Sequence, residues 1–302
     1  MLFWLFGICK TYLSTYDLQP TNYYLRDKMF RPVYIVNENV VWSTFSKNPN
    51  AVPILEQNMD KVVWQYLSEN PNAIHILEKN LDKVNWECLS KNQNAIDILE
   101  KNMKKVNWNL FCINENAIPI LTKKLKQVKV DLFWLSKNPK AIHILEQNLA
   151  SVNWRGLSTN PAAIHILQQN LNKVSWKFLS ENPAAIHMLE QNLNKVDWGM
   201  LSLNPGAMSI LEKNLDKLDW RWLSRNPSAV HVLEQNLNKV DWYFLSENPN
   251  AILMLAKLDT NAMRENCKTF AEELSKSVFN PVRAKRMADL YELNLEQYFE
   301  LL

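Results

Sequence analysis

Tryptophan recurs every 22 residues, at 42, 64, 86 and 108 and again at 154, 176, 198, 220 and 242. That period confines the chain to a stacked architecture, because a unit of this length cannot bury its apolar face alone. Trp108 and Trp154 are 46 residues apart, two more than two periods. Aligning "LSKNP" puts Leu132 in the tryptophan place and an insertion near Val130 and Asp131, which gives ten copies. Copy 1 begins at Trp42, copy 5 at Leu132 and copy 10 at Trp242, and positions within a copy are counted from that residue as zero.

Position 6 is Asn in every copy and position 7 is Pro in eight, with Gln93 and Glu115 as the exceptions. Asn then Pro reads as an N-cap and first helical residue: the amide oxygen takes an orphan backbone N–H, and the fixed φ of proline suits the first turn. In copy 2 these are Asn70 and Pro71, followed by Ala73, Ile74, Leu77 and Leu81 as an apolar stripe at helical spacing. The second helix of the unit is therefore predicted from Pro71 to about Lys79, ended by Asn80 in the left-handed conformation. Asn85, Asn107, Asp131, Asn153, Ser175, Asp197, Asp219 and Asp241 stand just before position 0. As N-cap types they open a short first helix, "WxxLS", in the next copy.

The fold class expected is all-α: a solenoid of about ten two-helix repeats over 42–258. Helical caps over 1–41 and 259–302 should cover the open faces. With helices packed about 8–10 Å apart, ten copies predict a curved rod of roughly 80–100 Å. The tryptophans, Trp86 among them, are read as the large apolar bodies of small units rather than as a stacking platform. The apolar start "MLFWLFGICK" is too short to span a bilayer and is read as part of the first cap.

All five histidines, His75, His143, His165, His187 and His231, fall at position 11, one per copy. That is too far apart to share a metal, and the residue types replacing them elsewhere indicate a partly exposed helix position. Cys9, Cys88, Cys112 and Cys267 have no ligand-like spacing and read as reduced thiols in a reducing compartment, not a secreted disulfide framework. No nucleophile elbow, zinc-protease, phosphate-loop or dinucleotide-binding pattern occurs, and the chain has only 4 glycines. No catalytic residue, cofactor, metal or small-molecule substrate is expected, because repeated residues do not converge on one place.

Positions 1 and 2 vary while their flanks stay fixed. Tyr66, Phe133, Trp134, Phe178, Trp222, Tyr243 and Phe244 occupy them, and large side chains there call for cover by a neighbour or a partner. The first function expected is thus a non-enzymatic scaffold that recognises a protein through one face. The second is a structural strut within a larger assembly, for which a rod of fixed length is suited. A single-strand nucleic-acid reader would need a basic groove. Net charge is +3 and no continuous segment is strongly basic, which argues against nucleic acid; the absence of a span argues against a membrane partner.

The pattern "NPxAIxxLExNxxKVxWxxLSxNP", clearest from Asn138 to Pro249, resembles the tryptophan- and Asn-Pro-rich repeat proteins that giant DNA viruses of amoebae and algae encode in many copies. The tail "FNPVRAKRMADLYELNLEQYFELL" is similar to the closing segment of such proteins. The resemblance implies viral origin, in host cytoplasm or virion, without assigning an activity. Copies 3 and 4 depart from the pattern at Gln93, Cys112, Glu115 and Lys124, and a local irregularity is predicted between 86 and 154.

Overall fold

The computed structural model describes residues 32–124, 127, 130–263, 265, 281, 285 and 288. It is built almost wholly of short helices, as an all-α repeat protein should be. Two compact units are present: Val36–Ala256 holds the repeats, and Met1–Ile35 with Lys257–Leu302 forms the other. Both predicted cap segments lie mostly outside the described residues. Of the second unit, Asp259 donates its backbone N–H to the Val33 carbonyl at 2.8 Å, and its carboxylate accepts from the Ala262 N–H at 2.9 Å as a helix cap.

Each copy opens with a first helix such as Trp86–Lys91 or Trp154–Thr159. The caps at Asn85, Asn107, Asp131, Asn153, Asp197, Asp219 and Asp241 form as predicted, while Ser175 makes no side-chain bond. Leu or Phe at position 3, Ala at position 9 and Leu at position 13, including Ala73 and Leu77, form the buried core. The second helix is shorter than predicted. In copy 6 the proline starts a single 3-10 turn, Pro161–Ala163, and the α-helix runs Ile164–Gln169; in copy 2 it runs only Ile74–Glu78.

Two columns of buried polar side chains tie copy to copy. The Asn160 carboxamide oxygen accepts from the Ala162 N–H, while its Nδ2 donates to the Ser136 and Asn138 carbonyls of the preceding copy, both at 3.0 Å. Asn70, Asn92, Asn114, Asn138, Asn182, Asn204, Asn226 and Asn248 repeat the arrangement. The serine at position 4 does the same between helices: Ser158 donates to the Trp154 carbonyl and accepts the Ser175 N–H. Side-chain amides can satisfy main-chain groups buried between small units, and no buried side-chain nitrogen or oxygen among the described residues lacks a partner.

The predicted rod is not what forms. The first helices of most neighbouring copies pack on one another, and the first helix of copy 1, Trp42–Lys47, packs on that of copy 10, Trp242–Glu247, as closely as neighbours in sequence do. The polar columns cross this seam unchanged. Asn48 donates to the Ser246 and Asn248 carbonyls at 3.2 and 2.8 Å, and the Val41 N–H reaches the Ser246 hydroxyl at 3.0 Å. Asn50 Nδ2 meets the Pro249 carbonyl at 2.8 Å, just as Asn72 meets Pro49 at 3.0 Å. β1 (Tyr34–Val36) and β2 (Ala256–Leu258) form a two-stranded sheet. The repeats therefore close into a ring whose first-to-last junction is chemically the same as its internal ones.

Three further expectations change. The asparagines after the second helix are not left-handed: Asn102, Asn170, Asn214 and Asn236 have φ between −130° and −138°. Their Nδ2 groups donate to the carbonyl four residues back, as Asn80 does to Ile76, so the side chain satisfies the helix end and no reversed turn is needed. Leu81 is 40% exposed instead of continuing the buried stripe. Trp86 and its equivalents are half-buried, not core. In seven copies the lysine at position 19 lies over the indole, as Lys105 does over Trp86 at 4.3 Å and Lys173 over Trp154 at 4.7 Å.

The irregularity predicted between 86 and 154 is present. Cys112 replaces the serine of copy 4, and the Asp131 N–H turns instead to the Asn109 carboxamide oxygen at 2.8 Å. Beyond the insertion the helices Leu132–Lys137 and Trp154–Thr159 are the most tightly packed pair of first helices. Gly156 is what permits this, since an added Cβ would overlap the Phe133 carbonyl oxygen.

Candidate recognition surface

At 3.6 residues per turn, a helix that buries positions 3 and 4 presents positions 1, 2 and 5 on its opposite side. Within the ring that side is the inner wall. First helices of most adjacent copies pack directly whereas second helices make no comparable contact, so the first-helix layer has the smaller radius. Side chains two copies apart also converge from it. The Tyr66 and Tyr243 hydroxyls are 3.5 Å apart across the seam, and the Phe133 and Phe178 rings are centred 6.4 Å apart over Gly156. With ten copies at about 8–10 Å, the circle of helix axes is about 25–32 Å across.

All seven residues singled out from the variable positions lie on this wall, in two groups. Phe133, Trp134 and Phe178 form the first, with Phe133 packed edge-on against Trp134 at 4.9 Å and Lys137 over the Phe133 ring. Trp222, Phe244, Tyr243 and Tyr66 form the second: Trp222 and Phe244 are 5.1 Å apart, and Phe244 meets Tyr243 edge-on at 5.3 Å. All except Tyr243 are half-buried. The hydrogen bond to Tyr66, with a smaller effect of burial, raises the Tyr243 phenol pKa above its ordinary value. Arg155 and Lys177, at position 1 of copies 6 and 7 beside the first group, are exposed, and among the described residues neither has a carboxylate in ion-pair range.

Position 5 carries a feature the sequence reading passed over. Arg225, Glu247, Lys47, Glu69 and Lys91 alternate in sign in copies 9, 10, 1, 2 and 3, and the structure joins them into one chain of ion pairs at 2.8, 2.6, 3.1 and 2.5 Å. Burial acts to raise the Glu69 pKa, but Lys47 and Lys91 on either side outweigh it and hold the carboxyl below its ordinary value. The visible signal was that the alternation continues from the last copy into the first.

Burial pushes the Cys88 thiol up to about 11, aided by Glu69, and the Cys112 thiol up to about 12, so neither supplies a thiolate near neutral pH. Among the described residues no cluster of histidine, cysteine and carboxylate could hold a metal ion, and no helix is long and apolar enough to cross a membrane. The histidines are exposed; His75, His165 and His231 bond to Glu56, Glu146 and Glu212 of the preceding copy. Compared with known proteins, the chain matches no family model, no curated protein and no solved structure.

Proposed function

We propose that the ring is a non-enzymatic scaffold that binds a protein segment along its inner wall, in a viral setting as the repeat pattern implies. The observation that carries this reading is the placement of all the large variable side chains on one concave surface, over a frame whose buried polar groups are already satisfied. Aromatic clusters of that kind are the usual anchors of protein interfaces. The curvature favours a narrow partner, a single helix of about 10–12 Å or an extended strand. The reading as a strut rested on an extended rod, and ring closure removes that ground.

The test is affinity capture from infected cells with the wild-type chain and with Trp222→Ala combined with Tyr243→Ala. Loss of specific partners from the variant, with an unchanged melting curve, is the expected result. An identical partner set would overturn the inner wall as the binding surface.

A further inference from the structure

Ring closure fixes where the two aromatic groups stand relative to each other. Ten copies share one full turn, about 36° each. The first group belongs to copies 5 and 7 and the second to copies 9, 10 and 2. Their centres are between four and five copies apart, about 165° around the ring, so the groups face each other across the lumen. Copies 3, 4 and 8, on the flanks between them, carry no aromatic residue at positions 1 and 2. The circle of helix axes, less about 5–6 Å of helix on each side, leaves about 13–22 Å for an occupant.

One arginine adds a requirement of charge. Arg155, in copy 6 between the copies that carry Phe133 and Phe178, is exposed. The caps before and after it are neutral, Asn153 and Ser175. Asp131 and Glu181, in the copies on either side, form an ion pair with neither Arg155 nor Lys177. Arg221 has the same position in copy 9, but its flanking caps are Asp219 and Asp241, and the Asp219 carboxylate holds it at 2.9 Å. Of two equivalent guanidinium groups on the wall, one is already neutralised and the other is open to an anion.

We propose that the lumen is a two-sided clamp for an extended acidic segment of a partner protein, gripped by apolar side chains on opposite sides and by a carboxylate at Arg155. This rests on the reading of the wall as a protein-binding surface and states what that surface takes. Successive side chains of an extended chain point to opposite sides, so two adjacent apolar residues reach both aromatic groups at one level. An amphipathic helix has a single apolar stripe and would leave one of the groups in water. A carboxylate on a neighbouring residue then makes a charge-assisted bond to the open guanidinium.

The experiment displays random peptides of about twelve residues to the immobilised full chain and measures the enriched ones by fluorescence polarisation. Expected are adjacent apolar pairs flanked by Asp or Glu, with affinity kept when proline replaces a polar position, which a bound helix would not tolerate. Trp222→Ala on one side and Phe178→Ala on the other should each weaken binding at least about thirtyfold. Arg155→Gln should cost about fivefold, and Arg221→Gln less than about twofold. Circular-dichroism melts identify the folded variants, and Phe133→Ala takes the place of Phe178→Ala if the latter does not fold. Peptides that depend on one aromatic group and ignore the other overturn the clamp while leaving the protein-binding reading in place. Peptides rich in lysine, or indifferent to Arg155→Gln, overturn the acidic occupant. Oligothymidylate bound as tightly as the best peptide would make the wall a single-strand nucleic-acid surface and overturn the proposal. Enrichment of no peptide that responds to either group overturns the clamp and the protein-binding reading together.

Discussion

Asn48→Asp separates a closed ring from an open solenoid by chemistry at one side chain. In an open chain Asn48 has no preceding copy, and its only work is to cap the turn at Pro49 by accepting the Asn50 N–H. Asp caps a helix as well as Asn does, so the exchange would be close to neutral. In the ring, Asn48 is fully buried and its Nδ2 donates to the carbonyls of Ser246 and Asn248. Aspartate keeps the cap but aims a carboxylate oxygen at two carbonyl oxygens. The two lost bonds cost about 1–1.5 kcal/mol each, and burying the mismatched group adds at least about 1 kcal/mol. A total of about 3–4 kcal/mol corresponds to a fall of roughly 6–16 °C in Tm for a unit of this size. The internal control is Asn160→Asp, whose Nδ2 makes the equivalent bonds to Ser136 and Asn138. Thermal melts by circular dichroism should place the two variants within about 1 kcal/mol of each other. A neutral Asn48→Asp beside a damaging Asn160→Asp would refute ring closure.

Gly156→Ala forces a Cβ into the Phe133 backbone carbonyl and should cost about 1–3 kcal/mol in a melt. Gly199→Ala, whose nearest neighbour is the movable Asp197 carboxylate at 3.2 Å, should cost far less, and equal costs would contradict the tight packing at copies 5 and 6. The depressed pKa of Glu69 also predicts a pH dependence. A carboxyl whose folded pKa lies below its unfolded value contributes stability that is full above the unfolded pKa and lost as pH falls through the folded one. Wild type should therefore lose Tm on acidification from neutral pH, and Glu69→Gln should lose less over the same range. A slope unchanged by the substitution would show that the ion-pair chain through Lys47 and Lys91 is energetically silent.

The unit was readable because its signals are local. An Asn-Pro cap acts within two residues, as Asn160 does on Ala162, and the Ala and Leu of positions 9 and 13 follow from helical spacing. Features that depend on what a residue meets in another copy were harder to read. Asn80 has the right type for a left-handed end, but its Nδ2 finds the Ile76 carbonyl first. Leu81 continues the helical spacing on paper, yet the helix stops at Glu78 and leaves it outside. The aromatic positions are visible in the sequence by their variation, whereas the pairing of Phe133 with Phe178 depends on Gly156 leaving the intervening copy without a side chain.

The sequence by itself determined the repeating unit, its caps, its core and the face on which it varies, because each is set by contacts within one copy or with the next. Closure was decided by the tertiary structure, because a small rotation between successive copies leaves no mark in any one of them and returns to the start only when ten have accumulated. That accumulated rotation turns variable positions into an inner wall. It also brings Lys47 to Glu247, a pair separated by nearly the whole solenoid in sequence and by 2.6 Å in space.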